Sequence, residues 1–332
     1  MILVTGSTGM VGARLLFDLV SAGHQVRAIK RDGASTRIFD FYTRENPSLR
    51  NRVEWVHADL LDRVSMETAC AGITDLFHCA ALISFDPAHR SDMEKVNIRG
   101  TADLVNICLE QQTVRFFAFV SSVATLGRVD GDEILTEDSY WDPSLDPSHY
   151  AITKYGGERE VWRGMAEGLD AVIVNPGIIL GPGDWHKGSP ALFSKVLNGF
   201  PFFTRGVSGF VDVRDVSDAL IHLWNKKITG QRYILSGENL SFDDLFRRIA
   251  SASGTRAPFI PVAAWITGLV WPLERLRSII TGKPPFITRE TARSSRKQFR
   301  YSSEKIRQTG FRFRSIDDCI RYTVDCRKKM LD

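Results

Sequence analysis

Ile2-Leu3-Val4-Thr5-Gly6-Ser7-Thr8-Gly9-Met10-Val11-Gly12 decides the fold of this chain. A short apolar run leads into three closely spaced glycines, and a helical pattern follows from about Met10 to Ala22. Glycine lets a backbone turn sharply and approach a ligand, and a helix opened in this way presents unpaired amide N–H groups to a pyrophosphate. A glycine pattern alone also occurs in purely structural turns. Here the strand before it and the helix after it make Gly6, Thr8, Gly9, Met10, Val11 and Gly12 candidate dinucleotide contacts.

Outward from that turn, strand-like runs alternate with helical patterns. Gln25 to Ile29, Val53 to His57, Asp75 to Ala80, Phe116 to Ser121 and Ala171 to Asn175 read as strands. Between them lie a short helix after Asp62, a long one from about Asp92 to Gln111, and one carrying Tyr150. Such alternation implies a parallel sheet with crossover helices, an α/β doubly wound fold. After Pro176 the rhythm fails, and Gly, Pro and Trp crowd Gly177 to Pro190 as in a loop that shapes a pocket. Strands near Gly209 to Val213 and Tyr233 to Leu235 are expected to return to the sheet. Ser241 with Asp244, and Ser315 with Asp318, have the spacing of helix capping boxes.

The 332 residues, 43% of them apolar, suffice for one large core with a smaller lobe. The net charge of +4 is uneven, because residues 274–332 hold 16 Lys and Arg against 7 Asp and Glu. That segment has neither a nucleic-acid motif nor aromatic residues at stacking intervals, so it reads as a solvated helical surface and no nucleic-acid partner is expected. Cys70, Cys79, Cys108, Cys319 and Cys326 show no metal-ligand spacing and read as reduced thiols. With no secretory leader before Ile2, a cytoplasmic protein without a metal is expected. The apolar stretch Ala257 to Leu273 is too short and too broken by proline to span a bilayer. It reads as a helix of the lobe. Beside Arg275 and Arg277 it also suits weak peripheral membrane contact.

Tyr150 and Lys154, four residues apart, share one helix face. A phenol is a poor acid or base at neutral pH, and a neighbouring ammonium favours its ionised form, so the pair suggests proton transfer during hydride exchange at a carbonyl. Ser121 and Ser122 end the preceding strand at the carboxyl edge of the sheet, where a hydroxyl can hold a substrate carbonyl. Lys30 and Arg31 end the second strand, where an acid would meet ribose hydroxyls and a base a 2′-phosphate. The pair favours NADP, with NAD possible through Asp32. Phe85, His89, Trp185, His186, Phe202 and Phe203 could line a substrate pocket, with His186 the candidate polar contact.

Taken in order, Thr5-Gly6-x-x-Gly9-x-x-Gly12, Asp59-Leu60, His78-Cys79-Ala80-Ala81, Asn97, Ser122, Tyr150-x-x-x-Lys154 and Asn175-Pro176-Gly177 resemble an extended short-chain dehydrogenase/reductase of the NAD-dependent epimerase/dehydratase family. That resemblance implies a Rossmann-type domain over residues 1–181, with 209–236 returning to it, and a smaller, mostly helical substrate lobe over 182–208 and 237–332. It implies Asn97, Ser122, Tyr150 and Lys154 as a catalytic tetrad, Ser122 rather than Ser121 being the family serine. Lys154 would lower the Tyr150 pKa and hold the nicotinamide ribose, and Asn97 would support a proton relay through water. Asp59 and Leu60 would meet adenine, Ala80 and Ala81 would line the cofactor, and Pro176, Gly177, Ile178 and Ile179 would flank the nicotinamide. Within the family, Val26 to Asp32 and Val211 to Val216 resemble the dihydroflavonol-reductase and 3β-hydroxysteroid-dehydrogenase branch, which acts on ketones or secondary alcohols of rather apolar small molecules. Nucleotide-sugar epimerases and dehydratases with tightly bound NAD are the alternative, and they usually carry an Arg where Ser208 stands. The resemblance also implies a homodimer packed through the helices at Asp92 to Gln111 and Tyr150 to Glu167.

Overall fold

The computed structural model describes residues 1–127, 134–262 and 298–331. Strands β1 (Ile2–Thr5), β2 (Val26–Lys30), β3 (Val53–His57), β4 (Asp75–His78) and β5 (Phe116–Val120) alternate with helices α1 (Met10–Ser21), α2 (Arg37–Tyr42), α3 (Arg63–Cys70), α4 (Arg90–Glu94) and α5 (Gly100–Gln111). Next come β6 (Ile134–Leu135), α6 (His149–Ala166), β7 (Ala171–Pro176), β8 (Ile178–Leu180), α7 (Pro190–Leu197), β9 (Phe202–Phe203), β10 (Val207–Asp212), α8 (Val213–Asn225) and β11 (Gln231–Leu235). The chain closes with β12 (Glu238–Ser241), α9 (Phe242–Ser253), β13 (Ile260–Pro261), β14 (Arg300–Tyr301), α10 (Glu304–Gln308) and α11 (Ile316–Leu331).

Seven strands form the main sheet in the order β11-β7-β5-β4-β1-β2-β3, and every pairing is parallel. Strand β5 is buried along its whole length, which explains its unbroken Phe-Phe-Ala-Phe-Val. One face of the sheet packs on Leu15, Leu16 and Leu19 of α1 and Leu220 and Leu223 of α8. The other packs on Met66, Leu104, Val105 and Val161 from α3, α5 and α6. Strand order reverses between β1 and β4, and ligands of open α/β sheets bind outside the carboxyl ends of the strands at such a switch point.

Two elements differ from expectation. The helix expected from Asp92 to Gln111 is interrupted by a π turn, Lys95–Arg99, between α4 and α5. Of the two strands expected to return to the main sheet, β11 does so, but β10 pairs with β8 and β12 in a separate three-stranded sheet. The edge of the main sheet beside β7 is taken by β11, so β10 pairs elsewhere, and Gly177, between β7 and β8, has no Cβ to obstruct the nearby Gly209 carbonyl.

The lobe core gathers Trp185, Phe193, Phe210, Leu245 and Ile320. Of the two expected capping boxes the serine half forms, Ser241 Oγ accepting from the Asp244 amide at 3.1 Å and Ser315 Oγ from the Asp318 amide at 3.2 Å, while the Asp244 and Asp318 carboxylates turn to Arg248 and Arg214. Part of the C-terminal basic charge is paired, since Arg314 binds Asp215 and Asp218 and fastens the start of α11 to α8. No described helix is long and apolar enough to cross a membrane. Of the stretch read as a lobe helix or membrane contact, Leu269 and its neighbours from residue 263 onward lie outside the described residues, and Ile260–Pro261 is a strand.

Candidate active site

The glycine turn is shaped by close approach. Gly6 has φ +67°, and a Cβ there would lie 2.6 Å from the Ala80 amide nitrogen at the end of β4. On Gly12 a Cβ would lie 2.2 Å from the Gly6 carbonyl oxygen, so the first turn of α1 rests directly on the loop. The Gly9 amide donates to Gly6 O at 2.9 Å, and Ser7 Oγ donates to Val4 O at 2.7 Å. Gly9 caps α1 without a side chain, leaving the first amides of the helix open to an anion. Thr8, Met10 and Val11 are partly exposed around them.

Past the end of β2 lies a cavity of about 580 Å³ lined by Arg31, Asp32, His57, Asp59 and Ser65 among others. Arg31 is exposed and has no ion-pair partner among the described residues. Asp32 is engaged, its Oδ1 2.5 Å from His57 Nδ1, whereas the Lys30 ammonium sits over the Trp55 ring at 5.7 Å. At this end of β2, Arg31 is thus the basic residue with neither an acidic nor an aromatic partner among the described residues. Asp59 Oδ1 accepts from the Leu61 amide at 2.9 Å, and Leu60 is buried against Gly100.

His78 joins this half of the site to the other. Thr101 Oγ1 donates to Asn97 O at 2.8 Å, so it can only accept from His78 Nε2 at 3.1 Å. The Nδ1 atom therefore accepts from Thr5 Oγ1 at 2.7 Å, and Thr5 in turn accepts from the Ala80 amide at 3.3 Å. Burial, with the Lys154 charge adding to it, pushes the His78 pKa down to about 3 and keeps the imidazole neutral. Ala81 is exposed beyond this bracket.

Helix α6 begins with Ser148 Oγ accepting from the Ala151 amide at 3.1 Å, and Tyr150 and Lys154 follow in its first turns. The Phe85 ring meets the Tyr150 ring edge-on, centroids 6.1 Å apart. Burial raises the Tyr150 pKa above that of a free phenol, and a hydrogen bond from the Ser122 hydroxyl draws it back. Lys154 is 2% exposed, donates to Val120 O at 2.8 Å and lies 4.3 Å from the centre of the Phe119 ring. Burial brings its pKa down to about 8, with Glu158 working in the opposite direction.

Ser122 remains partly exposed at the end of β5, where its Oγ accepts from the Ala124 amide at 3.1 Å. Ser121 points the other way and donates to Glu158 Oε2 at 2.7 Å. Asn97 stands in the π turn, a form of helix that often marks functional positions. Its Oδ1 accepts from the Leu82 amide at 2.8 Å, and its Nδ2 donates to Leu82 O at 2.9 Å and Thr153 Oγ1 at 3.1 Å. These bonds spend both amide protons on the loop after β4 and on α6.

The arrangement brings Ser122, Tyr150, Lys154 and Phe85 together at the carboxyl edge of the sheet. Pro176 ends β7 and Ile178 and Ile179 begin β8, while Gly177 serves the close approach to β10 and donates its amide to Leu235 O at 2.9 Å. His186 is exposed, its amide bonded to Asp184 Oδ1, and nothing joins it to Tyr150. Trp185 and Phe203 are buried in the lobe core rather than lining a pocket, and Phe202 stacks edge-on with Phe200 at the surface. His89 pairs with Ser84 Oγ at 2.9 Å.

Sequence reading missed Glu158, which is 1% exposed and accepts hydrogen bonds from Ser121, Thr125, Asn175 and Arg232. Its signal was present: Tyr150, Lys154 and Glu158 recur every four residues on one helix face.

The model of the NAD-dependent epimerase/dehydratase family matches residues 2–235. A protein of Synechocystis sp. named for dihydroflavonol 4-reductase is 30% identical, the alignment covering 97% of this chain and 92% of that one. Sterol demethylase protein B of Methylococcus capsulatus is 28% identical, with 93% and 89% covered. Among solved structures, the crystal structure of gox2253 superposes with a TM-score of 0.82 at 28% identity, covering 99% and 98% of the two chains. The open helix N-terminus, the reversal of the sheet and the Tyr150 helix thus accompany a family match over most of the chain, which belongs to the NAD-dependent epimerase/dehydratase family and is an NAD(P)-dependent enzyme of the extended short-chain dehydrogenase/reductase type.

Proposed function

We propose that this protein is an NADP-preferring oxidoreductase that reduces a ketone or aldehyde, or oxidises a secondary alcohol, of a rather apolar small molecule. The observation that carries the reading is the group formed by the Tyr150 phenol, the Ser122 hydroxyl and the Phe85 ring on a helix whose Lys154 is buried. The glycine turn fits a dinucleotide, because its uncapped amides can hold a pyrophosphate and Gly6 and Gly12 leave no room for side chains. Arg31 would hold the 2′-phosphate, and Thr8, Met10, Val11, Asp59, Leu60, Ala80, Ala81 and Pro176 to Ile179 would surround the rest. When bound, the nicotinamide supplies or accepts the hydride.

Tyr150 gives a proton to the carbonyl oxygen during reduction, and the raised pKa keeps it in the protonated form that this needs. Ser122 donates to the same oxygen and orients it. Asn97 holds the loop carrying Leu82 against α6, beside the mouth formed by Phe85. Phe85 gives that mouth an apolar wall, which agrees with relatives named for a dihydroflavonol and a sterol.

Tyr150→Phe removes only the proton donor and is expected to lower kcat by at least about a hundredfold while NADPH binding stays intact. A panel of aldehydes, ketones and alcohols tests both variant and parent, and substantial turnover by Tyr150→Phe rejects the mechanism. NAD released on denaturing the purified protein would favour an epimerase or dehydratase instead.

A further inference from the structure

Beneath the catalytic group lies a buried carboxylate that the proposed chemistry does not use. Glu158 Oε2 accepts from Ser121 Oγ at 2.7 Å, Thr125 Oγ1 at 2.7 Å and Asn175 Nδ2 at 2.8 Å. Its Oε1 accepts from Arg232 Nη1 at 3.0 Å and, more weakly, Trp162 Nε1 at 3.4 Å. These donors come from the end of β5, the turn that follows it, the end of β7, β11 and α6 itself. One of these donors reaches back to the candidate serine: the Asn175 amide carries two protons, and its Nδ2 donates to the Ser122 carbonyl oxygen at 3.2 Å as well as to Glu158. Glu158 therefore fixes the backbone of Ser122 while standing one helical turn from Lys154.

We infer that Glu158 is a positioning residue for this site: it is the buried counter-charge one helical turn from the Lys154 ammonium and, through Asn175, the anchor of the Ser122 turn. The inference rests on the proposed roles of Lys154 and Ser122. Of the groups facing Lys154, His78 and Cys79 come from β4 and the segment after it, Tyr150 and Glu158 from α6, and Phe119 and the Val120 carbonyl from β5. Burial holds the His78 imidazole and the Cys79 thiol neutral near physiological pH, the first pushed down to about 3 and the second up to about 12, and it keeps the Tyr150 phenol protonated. Glu158 is the carboxylate that works against burial at Lys154. Arg232, which also donates to the backbone of Glu137 and Ser139, offsets part of that charge from the far side. The carboxylate thus stands between two cations, and removing either partner should move the Lys154 titration in opposite directions.

The test follows Lys154 directly, by NMR of cofactor-free protein labelled at lysine 13Cε, across neutral to alkaline pH. Glu158→Gln keeps the size of the side chain and removes its charge, and should shift the Lys154 titration down by about one unit or more. Arg232→Gln leaves the carboxylate with its hydroxyl and amide donors, and should shift the titration up. If Glu158→Gln fails to fold, Arg232→Gln alone decides. A folded variant in which Lys154 titrates as in the parent overturns the inference, as do shifts of the same sign in both. NADPH titration of the parent is a separate readout: failure to bind would reject the proposed function and leave the Lys154 result standing.

Discussion

Arg31 is the residue on which the proposed preference for NADP rests. Its neighbours are occupied, Lys30 over the Trp55 ring and Asp32 against His57, so the exposed guanidinium is the group left to meet a 2′-phosphate. A charge-assisted hydrogen bond contributes about 1.5–3 kcal/mol, equivalent to roughly ten- to hundredfold in affinity. Arg31→Ala is therefore expected to weaken NADPH binding by about that factor and NADH binding little, as read by fluorescence titration of both. Equal losses for the two cofactors would mean that Arg31 does not read the phosphate. The tyrosine shows how neighbours outweigh a sequence interval. Tyr150 and Lys154 share a face as their spacing requires, yet burial dominates the phenol and Lys154 turns to the Val120 carbonyl.

Among elements, the junction of β1, α1 and β4 sets the dinucleotide end. The Cβ of Gly12→Ala would meet the Gly6 carbonyl, a backbone atom that cannot move without displacing the turn. Overpacking of this kind costs about 1–3 kcal/mol. Thermal unfolding of the variant should fall accordingly, and NADPH affinity should fall with it; an unchanged midpoint with unchanged affinity would show that the turn can shift freely. The π turn between α4 and α5 is the element that places Asn97, since one extra residue in the helical ladder re-aims a side chain relative to a straight helix.

Across the whole molecule, His78 couples the glycine loop to the helical layer and leaves a pH signature. Its pKa is about 3 in the folded protein against 6.5 for a free imidazole, so the fold favours the neutral form. The resulting stability is fully present above pH 6.5 and is lost as pH falls toward 3, on the order of 5 kcal/mol in total. Urea unfolding at a series of acidic pH values should show this loss, and the His78 ring resonance should stay neutral until the protein unfolds. A His78 resonance titrating near its free value in folded protein would refute the assignment.

The parallel α/β layering, the glycine turn, the helix carrying Tyr150 and Lys154, and the serine caps at Ser241 and Ser315 were legible in the chain alone, because each depends on residues close together in it. Local periodicity cannot register partners far apart. The placement of β10 followed from β11 taking the sheet edge beside β7, and the burial of Trp185 from lobe packing. The role of Glu158 required Ser121, Thr125, Asn175 and Arg232 to converge from up to 74 residues away. What only the tertiary structure decided was which polar groups are desolvated together, and burial in common is what sets the charges of His78, Tyr150 and Lys154.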